Sequence, residues 1–167
     1  LTPLREYVHG KGMLFGLWMD AERIGTESQV AQEHPDWLAQ RYDGERELGG
    51  MIDLTKPEVA DWMESEIDRL ITEYELDLFR LDYNVGNIGA GLEELAFDAG
   101  KTKCVTLADR ILTALKDKVD RYGENAYHRY YEALYGAYAR LVARHPRVIF
   151  QNCASGGARA DIGMIRT

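Results

Sequence analysis

Hydrophobic and polar positions along the chain follow two different periods. Three short apolar runs, at 14–19, 78–81 and 148–150, each give way at once to polar residues and read as buried strands. Between them the apolar positions recur at helical spacing. Val59, Trp62, Met63, Ile67, Leu70, Ile71 and Tyr74 share one face of a helix that Pro57 opens. Thr55 and Glu58 have the spacing of a capping box at its start. A second amphipathic helix is predicted over 106–119. A third runs from a cap at Asn125 to about Arg144, burying Tyr130, Tyr131, Leu134, Tyr138, Leu141 and Val142. Residues 4–9 read as the tail of a helix closed by Gly10 and Gly12, 34–37 as a loop or short helix, and 51–54 as briefly extended. The stretch 84–103, with Gly86, Gly89, Gly91 and Gly100, reads as a loop over the mouth of a site.

Short apolar strands separated by helices predict an α/β fold with a parallel sheet and helices outside it. Both barrels and open parallel sheets place their chemistry at the carboxyl ends of the strands. No strand is followed by Gly-x-Gly-x-x-Gly, so a dinucleotide-binding fold has no specific support. There is no internal repeat.

Composition narrows the classes further. At 167 residues, 46% hydrophobic and 29% charged, the chain has ordinary globular make-up, enough for one domain over 1–167. A formal charge of −8 argues against nucleic acid or an anionic membrane surface as partner. No stretch is long and apolar enough to span a bilayer. Cys104 and Cys153 form neither a disulfide framework nor a metal spacing, and fit a cytoplasmic protein. His9, His34, His128 and His145 are scattered, so no metal and no cofactor are expected. The chain begins at Leu1 and stops at Thr167, just past a Gly-rich loop, and so reads as a piece cut from a larger domain.

Three polar clusters follow the three strands: Trp18 to Glu22, Arg80 to Asn84, and Asn152 to Asp161. Asp82 is the strongest candidate. Beside Arg80 a carboxylate is held charged, as a nucleophile toward an oxocarbenium-like centre must be, though a purely structural ion pair fits the pattern equally well. Trp18 either stacks on the apolar face of a sugar or packs in the core, and the size of its ring favours the core. Asp20 and Glu22 are an acid and base or, more commonly, caps of the next helix. Gly156 and Gly157 make a tight turn or let backbone approach a ligand. Cys153 has no thiolate activator next to it in sequence.

At these clusters the chain resembles the melibiase-type α-galactosidases of glycoside hydrolase family 36. The resemblance rests on five motifs in order. They are Gly16-Leu17-Trp18 with acidic residues after it, His34-Pro35-Asp36-Trp37, Ile52-Asp53-Leu54-Thr55-Lys56-Pro57-Glu58-Val59, Arg80-Leu81-Asp82-Tyr83-Asn84 in place of Lys-x-Asp-x-Asn, and Cys153-Ala154-Ser155-Gly156-Gly157. It implies a partial (β/α)8 barrel, roughly strands 3 to 5 with their helices, and a retaining exo-α-galactosidase acting on α-galactoside oligosaccharides. Asp82 would be the catalytic nucleophile on the fourth strand. Trp18, Asp20, Arg80, Asn84, Cys153 and Gly156 would border the sugar, with Arg46 the nearest match to a sugar-contacting arginine. The parent would be a homo-oligomer.

Departures from the family pattern leave the sugar open. Arg80 is larger and more rigidly forked than lysine, so its hydrogen bonds differ. Asp20-Ala21-Glu22 replaces a Glu-Pro-Glu-like sequence, and 85–124 aligns with nothing. An α-N-acetylgalactosaminidase, a raffinose-synthase-like galactosyl transferase and a non-catalytic sugar-binding or assembly fragment are the competing readings. The family's general acid stands on the sixth strand and has no counterpart here, so the 167-residue chain alone is expected to be inactive. The glycosidase reading further requires Asp82 to lie open in a sugar-sized hollow, its two oxygens not locked away in a salt link, with the Trp18 and Cys153 motifs facing it.

Overall fold

A computed structural model of the chain describes residues 1–25, 27–39, 50–82 and 126–153. In chain order its elements are α1 (Thr2–Gly10), β1 (Gly16–Met19), α2 (Gln29–Glu33), a 3-10 turn (Pro35–Trp37), α3 (Pro57–Glu73), β2 (Leu78–Asp82), α4 (Ala126–Arg144) and β3 (Ile149–Cys153). The strands form one parallel sheet in the order β1-β2-β3. The expected 106–119 helix, the Asn125 cap and the 84–103 loop lie outside the described residues.

Sheet and helices close over a single apolar core. Phe79 and Leu81 of β2, Val59, Met63, Ile67 and Ile71 of α3, and Tyr130, Leu134, Ala137, Tyr138 and Leu141 of α4 are all buried in it. Burial of a side chain such as Phe79 or Met63 contributes roughly 1.5–3 kcal/mol. Two carboxylates of α3, Glu64 and Asp68, hold it to the last turns of α4 and the residue after it. Glu64, nearly buried, accepts from Arg140 Nε at 2.8 Å and Arg144 Nη2 at 3.2 Å. Asp68 meets His145 Nε2 at 2.7 Å and Arg144 Nη1 at 3.1 Å.

Side chains alternate across a strand, so the sheet has two faces. Leu17, Met19, Phe79, Leu81 and Phe150 belong to the core or pack against it. The opposite parity carries Gly16 and Trp18, then Leu78, Arg80 and Asp82, then Ile149, Gln151 and Cys153. Among the described residues no helix covers that second face. Leu14 and Trp18 are each 65% exposed and Ile149 is 52% exposed. Within this chain β1 and β3 lie at the two edges of the described sheet, each with one face bare.

Asp77 joins the three strands at their amino-terminal end. Its Oδ2 accepts from the Phe15 N–H at 2.8 Å and meets His9 Nε2 at 2.7 Å, while its carbonyl accepts from the Ile149 N–H at 2.8 Å. Gly16 faces Leu78 so closely that a Cβ there would lie 3.0 Å from both Leu78 Cβ and its carbonyl oxygen. A side chain would push β1 off β2, which accounts for the glycine that opens the Gly-Leu-Trp motif.

The capping box does not form. The Thr55 hydroxyl turns back and donates to Asp53 Oδ1 at 2.6 Å, and α3 starts after Lys56 with no side-chain cap. Asp53 Oδ1 also accepts the Thr55 N–H at 3.1 Å, the donor that Glu58 would take in a capping box.

Candidate functional site

The parallel register sets the candidate residues in two rows. Trp18, Arg80 and Gln151 stand side by side across β1, β2 and β3. One row further toward the carboxyl ends, Asp82 stands beside Cys153. By parity all five occupy the face the helices leave bare. The expected convergence of three strand ends holds for Trp18, Arg80, Asp82 and Cys153.

Arg80 ties the upper row together. Its Nη2 donates to Asp82 Oδ2 at 2.7 Å and to Cys153 Sγ at 3.0 Å. The bond to Asp82, chiefly, holds the guanidinium above its ordinary proton affinity. Asp82 is nearly buried, its side chain 11% exposed against 37% for Arg80. The salt link to Arg80 engages one oxygen only, so the oxygen pair is not locked, but Asp82 is buried rather than open as expected. Asp82 Oδ1 and Arg80 Nε are both buried without a hydrogen-bond partner among the described residues.

Trp18 is not core. With 65% of its surface exposed it offers a flat apolar ring in the same row as Arg80. Asp20 follows β1 directly, half-buried, with Arg23 Nη1 at 3.9 Å. Neither Asp20 nor Glu22 caps the next helix. Ser28 does so, accepting the Ala31 N–H at 3.2 Å. Glu22 is instead almost fully buried and accepts a hydrogen bond from the Tyr130 hydroxyl of α4. Arg46, Asn84 and Gly156 lie outside the described residues.

One residue of interest, Gln151, and the partner of another, Glu22, escaped the sequence reading. Gln151 shares the row of Trp18 and Arg80, and the alternation Ile149, Gln151, Cys153 was the signal that could have found it. Glu22 pairs with a tyrosine 108 positions away, and no local pattern marks such a partner. A groove of about 400 Å³ lined by Ser65, Asp68, Arg69, Thr72, Glu73 and Arg144 belongs to the helix layer, and none of the strand-end candidates lines it.

Comparison with known proteins places this arrangement. A protein-family model described as melibiase matches residues 1–122 and 107–167. Alpha-galactosidase 2 of Pediococcus pentosaceus is 31% identical over 170 residues, covering 99% of this chain and 20% of the relative. The crystal structure of the alpha-galactosidase from Lactobacillus brevis superposes with a TM-score of 0.72 at 29% identity, covering 98% of this chain and 19% of that one. A variant of the alpha-galactosidase AgaA from Geobacillus stearothermophilus, solved in complex with stachyose, shares the fold with a TM-score of 0.71 at 24% identity, over 99% of this chain and 20% of that one. The chain thus spans about a fifth of the length of the relatives it matches.

Proposed function

The chain belongs to the melibiase family, and from that membership we propose that it supplies strands 3 to 5 of a (β/α)8 barrel in a retaining exo-α-galactosidase. The observation that carries the mechanism is Asp82. It closes the central described strand, and its Oδ1 is buried with no partner among the described residues while its Oδ2 is held by Arg80.

In this reading Asp82 Oδ1 attacks the anomeric carbon of a terminal α-galactosyl unit. The new oxygen–carbon bond forms as the bond to the leaving oxygen breaks, and a carboxylic acid supplied from outside this chain protonates that oxygen. The resulting carboxylate then deprotonates water, which attacks the same carbon and releases Asp82. A retaining site holds its two carboxyl groups about 5–5.5 Å apart. Trp18 offers its exposed ring to the apolar face of the sugar. Asp20, Arg46, Asn84, Cys153 and Gly156 border the sugar, and Arg80 stands beside the nucleophile. The substrate class is an α-galactoside oligosaccharide, the kind of molecule that the AgaA variant was solved with.

The test uses the complete protein. Asp82→Gly abolishes hydrolysis of an aryl α-galactoside, and added azide restores transfer of the galactosyl group to itself. Hydrolysis that survives the substitution removes Asp82 from this role. The 167-residue chain alone does not turn the same substrate over.

A further inference from the structure

Arg80 has a second feature besides its charge. One nitrogen, Nη2, serves two partners on two strands: Asp82 Oδ2 on β2 at 2.7 Å and Cys153 Sγ on β3 at 3.0 Å. A guanidinium is planar, and its N–H directions are fixed relative to one another. Aiming both Nη2 hydrogens therefore fixes the plane of the group. A free carboxylate rotates broadly about its terminal torsion, so either oxygen can face a substrate. With Oδ2 held, that torsion stops. Oδ1 is the oxygen left over, and it is buried and unpartnered among the described residues.

We infer that Arg80 is the positioning residue of the nucleophile: anchored on Cys153 Sγ, it holds Asp82 Oδ2 and thereby presents Oδ1 to the anomeric carbon. The inference rests on the nucleophile reading of Asp82. It gives Arg80 a role exerted through the protein rather than on the sugar, and it gives the Cys153 thiol the role of anchor. Arg80 Nε, also unpartnered among the described residues, is not part of the clamp.

The two roles separate in steady-state kinetics of the complete protein with 4-nitrophenyl α-galactoside. Loss of a hydrogen bond to a charged group lowers kcat of Arg80→Met about 10–100-fold, while KM moves less than about threefold. Arg80→Lys, which keeps the charge but not the fork, recovers part of the loss. Methylguanidine added to Arg80→Gly raises kcat, a response only folded protein with a vacated guanidinium site gives. Cys153→Val lowers kcat, yet adds nothing to Arg80→Met in the double variant, because the anchor acts through Arg80. A raised KM with kcat kept, absence of methylguanidine rescue, or multiplicative losses in the double variant each overturn the inference. Asp82→Gly with azide is measured alongside. Failure of azide rescue there overturns the nucleophile reading as well; azide rescue together with an unchanged kcat in Arg80→Met overturns the clamp alone.

Discussion

The Tyr130 hydroxyl donates a hydrogen bond to Glu22 Oε2 in the core, across 108 positions of sequence. Glu22 is 1% exposed, and so is Tyr130. The pair fastens the segment that follows β1, two residues past Asp20, to α4. The Glu22 carbonyl also accepts the Ile52 N–H at 3.0 Å, so the same residue holds the 51–52 bridges.

Tyr130→Phe removes that donor from a buried carboxylate without changing the packing volume much. Stability should fall by roughly 1–3 kcal/mol, the cost of weakening a buried charged acceptor's hydrogen bonding. Urea unfolding of the wild type and variant measures it. An unchanged midpoint would mean the contact contributes nothing.

Gly16→Ala tests the close approach of β1 to β2. The added methyl meets Leu78 at 3.0 Å, so the edge strand must shift. Overpacking of this kind costs about 1–3 kcal/mol. Trp18 moves with the strand, and the KM for an α-galactoside should rise in parallel with the loss of stability.

Acid should loosen the lower end of the sheet through Asp77. The Phe15 N–H, first, and then His9 hold its carboxyl below the usual value of 3.8. A carboxyl depressed in the native state contributes stability above its unfolded value. That contribution is lost as pH falls below about 4, through the native value. Asp77→Asn should flatten this part of the stability–pH curve below about pH 4 and lower stability at pH 7. A variant whose acid limb matches the wild type would contradict the assignment.

How far these contacts can be read from sequence depends on their range. The run Leu78 to Asp82 gave β2 almost to the residue, because Phe79 and Leu81 alternate with Arg80 and Asp82, and alternation survives folding. The helical face from Val59 to Tyr74 was equally legible, since seven apolar positions at one period leave little freedom. For Trp18 the size of the ring alone favours the core, and nothing local encodes which face of β1 this chain leaves bare. The capping-box spacing of Thr55 and Glu58 misled because Asp53 takes the Thr55 N–H and the helix starts one residue later, after Lys56. Glu22 and Tyr130 could not be paired at all, since their contact exists only after two distant segments meet. Of the site, Asp82, Arg80, Cys153 and Trp18 were found through strand ends, whereas Gln151 was passed over as an ordinary strand residue.

Trp18→Ala should raise KM for an aryl α-galactoside about tenfold with kcat largely kept, as expected where an aromatic face contributes on the order of 1 kcal/mol to binding in ground state and transition state alike. Steady-state kinetics of the complete protein reads this directly. A fall in kcat at constant KM would mean the ring acts only in the transition state and would contradict this binding role.

The central claim is that Asp82 becomes covalently bonded to the sugar. Incubating the complete protein with 5-fluoro-α-galactosyl fluoride slows release of the glycosyl-enzyme, and peptide mass spectrometry then locates the adduct. A fluorogalactosyl group on Asp82 is the predicted result. An adduct on another carboxylate, with Asp82 unmodified in inactivated enzyme, would contradict it.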